Sequence, residues 1–341
     1  MKKLIKIKKY HVIALLAAGI FTFIVLLIYY STSPIDKNNG TVTVEIPAGS
    51  GFLEITGILK SKGIVKNRVL FYSLAAAKRA WKSMRAGEYE FDTMKTPSAI
   101  IDKLLRGEIK FYKVTIPEDF SVREIAARLM EYKLIDEKTF MELTENEEFL
   151  ESLNIEADSI EGYLFPDTYY FDRSMTTRHI IRKMVDQFWK KVTPEMREKA
   201  RKMGFNVQQF ITLASIIGKE SGHAAEKPMI SAVFHNRLKR KMRLQSDPTA
   251  VYDLENFSGI VRRSHLKRIS PYNTYVINGL PPGPIANPGL DSFEAALHPE
   301  PVNYLYFVAK RDGSHHFSSS LEMHQRGIYQ YRGKKSKDNS N

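Results

Sequence analysis

Residues 208–223 read QQFITLASIIGKESGH. Residues 210–217 are apolar on nearly every side apart from Thr212 and Ser215, which predicts a helix surrounded by other structure. The run then stops at Lys219, Glu220 and Ser221. At about 100° per residue, Glu220 lies within about 40° of Leu213 and Ile216, so it leaves the helix on an inward-facing side. Partial burial disfavours a carboxylate anion, and the negative end of the helix dipole does the same. Both predict a raised pKa and a carboxyl that keeps its proton near neutrality. Glycosidic bond cleavage requires that state of its general acid. The ordinary alternative is a solvated glutamate at a helix end, or one paired with Lys219.

The pattern around this helix is mainly helical up to about residue 242. Asn206 is placed to cap it. Upstream, TPEMREKARKMG offers Thr193 as a cap, Pro194 at the first position and Gly204 as a stop. Residues 138–153 and 177–191 also have helical spacing. EKPMISAVFHNRLKRKM, from Glu226, puts Met229, Ile230, Val233, Phe234 and Leu238 on one face. Beyond residue 245 the chain is rich in turns, and residues 303–310 (NYLYFVAK) read as a strand. Nearer the start, TVTVEIP (41–47) alternates like a strand and stops at a proline. VEIP at 44–47 recurs as VTIP at 114–117, and Ile55 and Leu59 recur as Ile125 and Leu129 at the same offset. A strand, a proline turn and a helix are thus used twice. The fold class expected is α+β, with a mainly helical large domain and β segments near the C-terminus.

Composition is that of an ordinary globular chain, 43% hydrophobic and 26% charged over 341 residues. There is no cysteine, which excludes a disulfide scaffold, a thiolate metal site and a cysteine nucleophile. The formal net charge is +13, but five lysines lie in residues 1–10 and the tail from Gly333 adds more, leaving about +6 for the body. No basic cluster interleaved with aromatics supports nucleic-acid binding. Residues 12–30, VIALLAAGIFTFIVLLIYY, carry no charge and nearly span a hydrocarbon core of roughly 30 Å. The preceding lysines predict a cytoplasmic N-terminus, with Tyr29 and Tyr30 at the far interface. A cleaved signal peptide is the rival, but no convincing small-x-small site follows Tyr30.

Other polar stretches join Glu220. RLQSDPT (243–249) gathers Gln245, Ser246 and Asp247 before a proline, SPYNTY (270–275) holds Tyr272 and Asn273, and TYVINGLPPGPIANPG spans 274–289. EGYLFPDTYYF (161–171) brings Glu161 and Asp167 among aromatics. Aromatics with amides and hydroxyls suit sugar faces and sugar hydroxyls, while each stretch alone reads equally as a rigid turn. His315, His316 and His324, with Asp312 nearby, raise zinc; they are read instead as structural or substrate-contacting histidines, and no metal is expected.

LASIIGKES, SAVFHNRL, MRLQSDPTAVY, SPYNTY, GLPPGPIANPG and YLYFVAKRDGSHHFSSSLEMH match in order. On these motifs the chain resembles the endolytic murein transglycosylases (YceG-like, MltG-type). The resemblance implies a membrane-anchored enzyme facing the cell wall. Such an enzyme cuts the bond between N-acetylmuramic acid and N-acetylglucosamine inside peptidoglycan strands. It leaves a 1,6-anhydro-muramyl end, limits strand elongation, and needs no cofactor. The resemblance places the catalytic glutamate on Glu220. Glu220 and Ser221 also look like the Glu-Ser pair of lysozyme-like lytic transglycosylases. Ser221, Gln245, Ser246, Asp247, Tyr272 and Asn273 are the candidates for holding the sugar and stabilising developing charge, and Asp247 reads equally as a cap for the helix Pro248 opens. The family usually reads Glu-Lys-Glu where this chain has Gly218, Lys219 and Glu220, leaving Glu220 the only acid on its turn.

The organisation expected is a cytoplasmic tail (1–11), a transmembrane helix (12–30), a linker (31–40), a LysM-like βαα module (41–113), a catalytic domain (114–332) and a polar tail (333–341). Expected partners are peptidoglycan strands, the inner membrane and peptidoglycan synthases, with no nucleic acid. The alternative function is a membrane-anchored wall-binding scaffold with lapsed activity, which product formation discriminates.

Overall fold

A computed structural model describes residues 2–36, 40–47, 49–82, 84–92, 95–254, 257 and 259–332, with side chains described outside 2–9, 82 and 332. The polar tail at 333–341 lies outside the described residues. The protein is α+β and mostly helical. Two compact units form. One runs to Tyr112 and takes in Tyr170–Met175; the other holds Lys113–Tyr169 and the chain from Thr176 onward.

The first unit begins with α1 (Lys2–Thr32), which contains a 23-residue segment, Tyr10–Thr32, of mean hydropathy 2.8. By length and composition that segment can cross a membrane. The helix continues through the lysine flank and past residue 30, beyond the 12–30 boundaries the sequence suggested. Residues 31–36 do not form a free tether, because Ile35 is buried in the core of the unit. That core is built by β1 (Thr41–Ile46), α2 (Phe52–Ser61), α3 (Arg68–Ala77), β2 (Gly87–Asp92) and α4 (Pro97–Arg106). Strands β1 and β2 pair antiparallel, from Thr41 opposite Asp92 to Ile46 opposite Gly87. Val44, Ile46, Tyr89 and Phe91 of this pair are fully buried beside Ile55 and Leu59 of α2.

The second copy of the strand-turn-helix motif is β3 (Tyr112–Thr115) followed by α5 (Val122–Glu131). Ser121 and Glu124 cap α5 reciprocally, which fixes where the helix starts. Then come α6 (Glu137–Thr144) and α7 (Glu147–Ser152). The single helical stretch expected over 138–153 is therefore two helices. Asn146 breaks it, because its side chain accepts from Phe149 N and starts a new helix. Strand β4 (Thr168–Phe171) pairs with β3.

The helices α8 (Thr177–Lys191), α9 (Pro194–Lys202), α10 (Val207–Glu220) and α11 (Lys227–Lys239) follow, then the short α12 (Arg263–Leu266) and α13 (Leu290–Leu297). The chain closes with β5 (Tyr306–Ala309), β6 (His315–Ser318) and α14 (Leu321–Arg332). The hairpin β5–β6 is antiparallel, and β5 is shorter than the eight residues expected.

Helix α10 is the centre of this unit. Every residue from Phe210 to Gly218 is buried. Its two polar residues are satisfied locally: Thr212 Oγ1 donates to Gln208 O at 2.7 Å, and Ser215 Oγ donates to Thr212 O at 2.8 Å. The Ser215 hydroxyl also accepts from Ile285 N at 3.1 Å, tying the proline-rich loop to the helix. A file of rings holds the helices together, with Phe210 5.3 Å from Phe293, Phe293 6.0 Å from Phe188 and Phe188 5.0 Å from Tyr163. Gly162 has φ +89°, and a Cβ there would lie 2.5 Å from Ile211 Cγ2. Glycine at that position lets the 161–164 loop lie directly on α10.

Because Phe293 touches both Phe210 and Phe188 and is fully buried, Phe293→Ala should destabilise this unit by about 3–5 kcal/mol. Denaturant unfolding of the detergent-solubilised chain would check it.

Candidate active site

Helix α10 starts at a reciprocal cap of Asn206 and Gln209 and ends at Glu220. Ser221 is extended, with φ −142° and ψ 127°, so the chain leaves the helix abruptly and Glu220 is its last side chain. Glu220 Oε1 accepts from Ser246 Oγ at 2.5 Å. Part of the side chain reaches solvent, but the carboxyl is crowded by protein, and burial pushes its pKa up to about 7. The Ser246 hydrogen bond opposes that rise. Nearby Asp247 reinforces it, and the Arg237 guanidinium opposes it. The direction expected from the helix pattern is therefore found, with burial as the main cause.

The segment carrying Ser246 is held from two sides. Arg237, 6% exposed, donates to Leu244 O at 2.6 Å and to Leu305 O at 2.7 Å. On the other side the 270–275 segment docks by Thr274. Its Oγ1 accepts from Ser246 N at 2.9 Å and lies 2.8 Å from Thr249 Oγ1. Gln245, at φ +51°, donates its backbone N–H to Thr274 O at 3.1 Å and leaves its side chain exposed near Arg237. Two motifs far apart in sequence thereby form one rigid wall beside Glu220.

Asp247 is exposed, and Tyr275 Oη donates to its Oδ1 at 2.5 Å. Its side chain makes no capping bond to the 3-10 turn at Pro248–Ala250. Its carboxylate is thus directed elsewhere than to the helix cap that the sequence also allowed. Tyr272 stacks at a tilt on Tyr252, with ring centroids 4.8 Å apart. Among the described residues, both rings line a cleft of about 760 Å³ together with Arg123, Lys219, Asp247 and Glu161. Glu220 itself is not among the wall residues, while its neighbours Lys219 and Asp247 are.

Two of the sugar-holding candidates are occupied otherwise. Asn273 is fully buried; its amide donates to the carbonyls of His265, Leu266 and Arg268, and its Oδ1 accepts from Tyr275 N. It braces the loop from a fully buried position. Ser221 is 4% exposed, and its hydroxyl accepts from His223 N at 3.0 Å. Asp167 is likewise engaged, by Gln187 Nε2 at 2.6 Å and Thr168 N at 2.7 Å.

Glu161 is more than a loop acid. Its carboxylate accepts from Val122 N at the start of α5, from Tyr252 Oη at 2.9 Å and from Asn287 Nδ2 at 2.7 Å. Burial pushes its pKa up to about 7, against the pull of Val122 N and Tyr252 Oη. It fixes the Tyr252 ring in the cleft wall. Tyr252, Tyr275 and Arg237 were missed as site residues in the sequence. They lie inside the motifs DPTAVY, SPYNTY and FHNRL, but nothing local to them predicts their partners.

The histidines of the C-terminal region are apart from one another in role. His315 Nδ1 lies 2.7 Å from Glu226 Oε2, His316 packs on Tyr331, and His324 stacks on Tyr306. Among the described residues, no group of three or more His, Cys, Asp or Glu is placed to hold a metal ion.

A family model described as the YceG-like family matches residues 44–330. The endolytic murein transglycosylase of Bacillus subtilis (strain 168) is 34% identical over 315 residues, which is 87% of each chain. That of Streptococcus pneumoniae serotype 2 (strain D39) is 29% identical over 352 residues, 94% of this chain but 63% of the relative's length. A crystal structure of a YceG-like protein from Listeria monocytogenes superposes with a TM-score of 0.59 at 34% identity, over 85% of this chain and 99% of that one.

A raised Glu220 pKa has a stability consequence of definite sign. From its ordinary 4.5 to about 7, the unfolded chain releases this proton while the folded chain keeps it, so folding stability falls across that window. Glu220→Gln, neutral throughout, should exceed wild type by up to about 3 kcal/mol above pH 7 and match it below pH 4.5. Denaturant unfolding at pH 4 and pH 8 measures the difference.

Proposed function

This chain belongs to the YceG-like family, and we propose that it is a lytic transglycosylase acting inside peptidoglycan strands. It cuts between N-acetylmuramic acid and N-acetylglucosamine and leaves a 1,6-anhydro-muramyl end, limiting strand elongation. The observation that carries this reading is the carboxyl of Glu220, desolvated at the end of a buried helix and hydrogen-bonded by Ser246. The curated relatives named endolytic murein transglycosylase support the substrate class.

With its pKa near 7, a large share of Glu220 is protonated at neutral pH. Ser246 occupies Oε1 as a donor, which leaves Oε2 to carry the proton. That proton passes to the glycosidic oxygen as the bond to the muramyl C1 breaks. The C6 hydroxyl of the same sugar then bonds to C1, and the Glu220 carboxylate takes the hydroxyl proton. The enzyme ends as it began, and no water is consumed. Asp247, exposed at the cleft, faces the positive charge that develops on the sugar ring. Tyr252 and Tyr272 offer an aromatic wall for a neighbouring sugar, and Gln245 a side chain for its hydroxyls.

In this reading α1 is an uncleaved anchor with its lysine-rich end in the cytoplasm. The chain that follows α1 then lies on the wall side of the inner membrane, within reach of synthases. The module over 41–113 is LysM-like in this reading.

Mass spectrometry of products from uncrosslinked glycan strands tests the chemistry. Wild type should release internal fragments with anhydro-muramyl ends, and Glu220→Gln should lose at least about 100-fold in rate. Reducing ends in place of anhydro ends would make the protein a hydrolase. Wild-type turnover in Glu220→Gln would remove Glu220 from the mechanism, and binding to sacculi without any product would indicate a scaffold.

A further inference from the structure

Two residues before Glu220, α10 contains a glycine. Gly218 is buried, and a Cβ built on it would overlap the carboxyl of Asp119, with Oδ1 as the nearest atom. Asp119 belongs to the loop between β3 and α5, about a hundred residues earlier. Its Oδ1 is sealed from solvent and, among the described residues, has no hydrogen-bond partner. Its backbone is left-handed, at φ +64°. In the first copy of the strand-turn-helix motif the corresponding residue is Gly49, at φ +83°. An aspartate therefore stands where this turn favours glycine, and one of its carboxyl oxygens is buried without a partner among the described residues. Both features cost stability. A costly side chain in a strained backbone is a reason to look for function.

The rest of the contact explains what the side chain does. Asp119 N donates to Asn287 O at 2.8 Å, so the loop is fixed from below. Lys219 Nζ donates to Asp119 O at 3.0 Å. The loop thus grips two consecutive residues of α10, Gly218 by van der Waals contact and Lys219 by a hydrogen bond. A glycine in a last helical turn is intrinsically loose, since it is the weakest helix former apart from proline. Here that turn carries the carboxyl that must meet Ser246.

We propose that Asp119 is a positioning residue for Glu220: its carboxyl fills the side-chain space that Gly218 leaves open and thereby holds the last turn of α10. The role rests on Glu220 being the acid of the reaction proposed above. The charged groups that face Asp119 are Lys219, Lys227, Glu118 and Asp291, and Lys227 is itself engaged by Asp291 at 2.8 Å. The bracing therefore depends on the shape of the carboxyl more than on an ion pair.

The test uses the full chain in detergent, with uncrosslinked glycan strands as substrate. Asp119→Gly should lower kcat about tenfold with KM within about twofold, because placement of the acid is lost and binding is not. Asp119→Asn, which keeps the shape, should stay within about threefold of wild type. Gly218→Ala alone forces a clash, while Asp119→Gly combined with Gly218→Ala fills the space from the helix side and should recover most of the kcat lost in Asp119→Gly. A carboxyl carbon NMR titration of Glu220 gives a second readout independent of turnover. Its midpoint should move by about half a pH unit or more in Asp119→Gly, as the Ser246 bond loosens, and stay put in Asp119→Asn. Wild-type kcat and an unmoved Glu220 titration in Asp119→Gly would overturn the proposal, as would a double variant no better than Asp119→Gly. If wild type forms no product, the transglycosylase reading fails, and the titration still decides whether Asp119 positions Glu220. If Gly218→Ala does not fold, the comparison of Asp119→Gly with Asp119→Asn carries the decision.

Discussion

The large unit depends on one side-chain amide. Asn287 is fully buried, and all its hydrogen-bonding capacity is used. Its Oδ1 accepts from Gly162 N and Leu164 N, at 2.9 and 2.8 Å. Its Nδ2 donates to Phe120 O and to Glu161 Oε1, at 2.9 and 2.7 Å. Its backbone makes a bridge to Phe120 and accepts from Asp119 N. Three loops that are remote in sequence are joined at this point, and none has a regular sheet to bury its backbone groups. In a dry interior each unmet donor or acceptor is expensive, so one amide that meets four of them fixes the loops relative to α10. Glu161 extends the network to Tyr252 in the cleft wall and to the start of α5.

Around that frame, the site is assembled from opposing demands on one carboxyl. Burial raises the pKa of Glu220, and a fully apolar surround would raise it further. Ser246 and Arg237 hold it near 7, where both the acid and the base form are accessible. Arg237 also binds the carbonyls of the segment that carries Ser246. The same guanidinium thus shapes the wall and moderates the charge. Tyr275 plays a comparable double part, since its ring belongs to the docked 270–275 segment and its hydroxyl engages Asp247.

The internal echo of strand, turn and helix shows how one local pattern serves two contexts. Ile55 and Leu59 are buried in one unit, and Ile125 and Leu129 in the other, at matching positions of α2 and α5. The turns differ in content. The first has glycine at the left-handed position, and the second has Asp119, whose side chain contacts α10. A motif whose backbone is dictated locally has acquired a long-range task by one side chain.

Much was legible in the sequence for local reasons. The apolar segment of α1, the caps of α9 and α10, the proline-terminated strand and the inward course of Glu220 follow from hydropathy, spacing and capping chemistry. Those act over a few residues. The break between α6 and α7 was also local, but helical spacing on both sides of Asn146 hid it. What only the tertiary structure decided are the pairings across long stretches of chain. Asn273 is spent on its own loop, Ser221 on a turn, and Ser246 on Glu220, although all three were equal candidates for holding the sugar. Asp119 against Gly218 lies beyond any sequence window. A hydrogen-bonding group states what it can bind, but its partner is set by which loops packing brings together, and here that is decided around Asn287 and the buried face of α10.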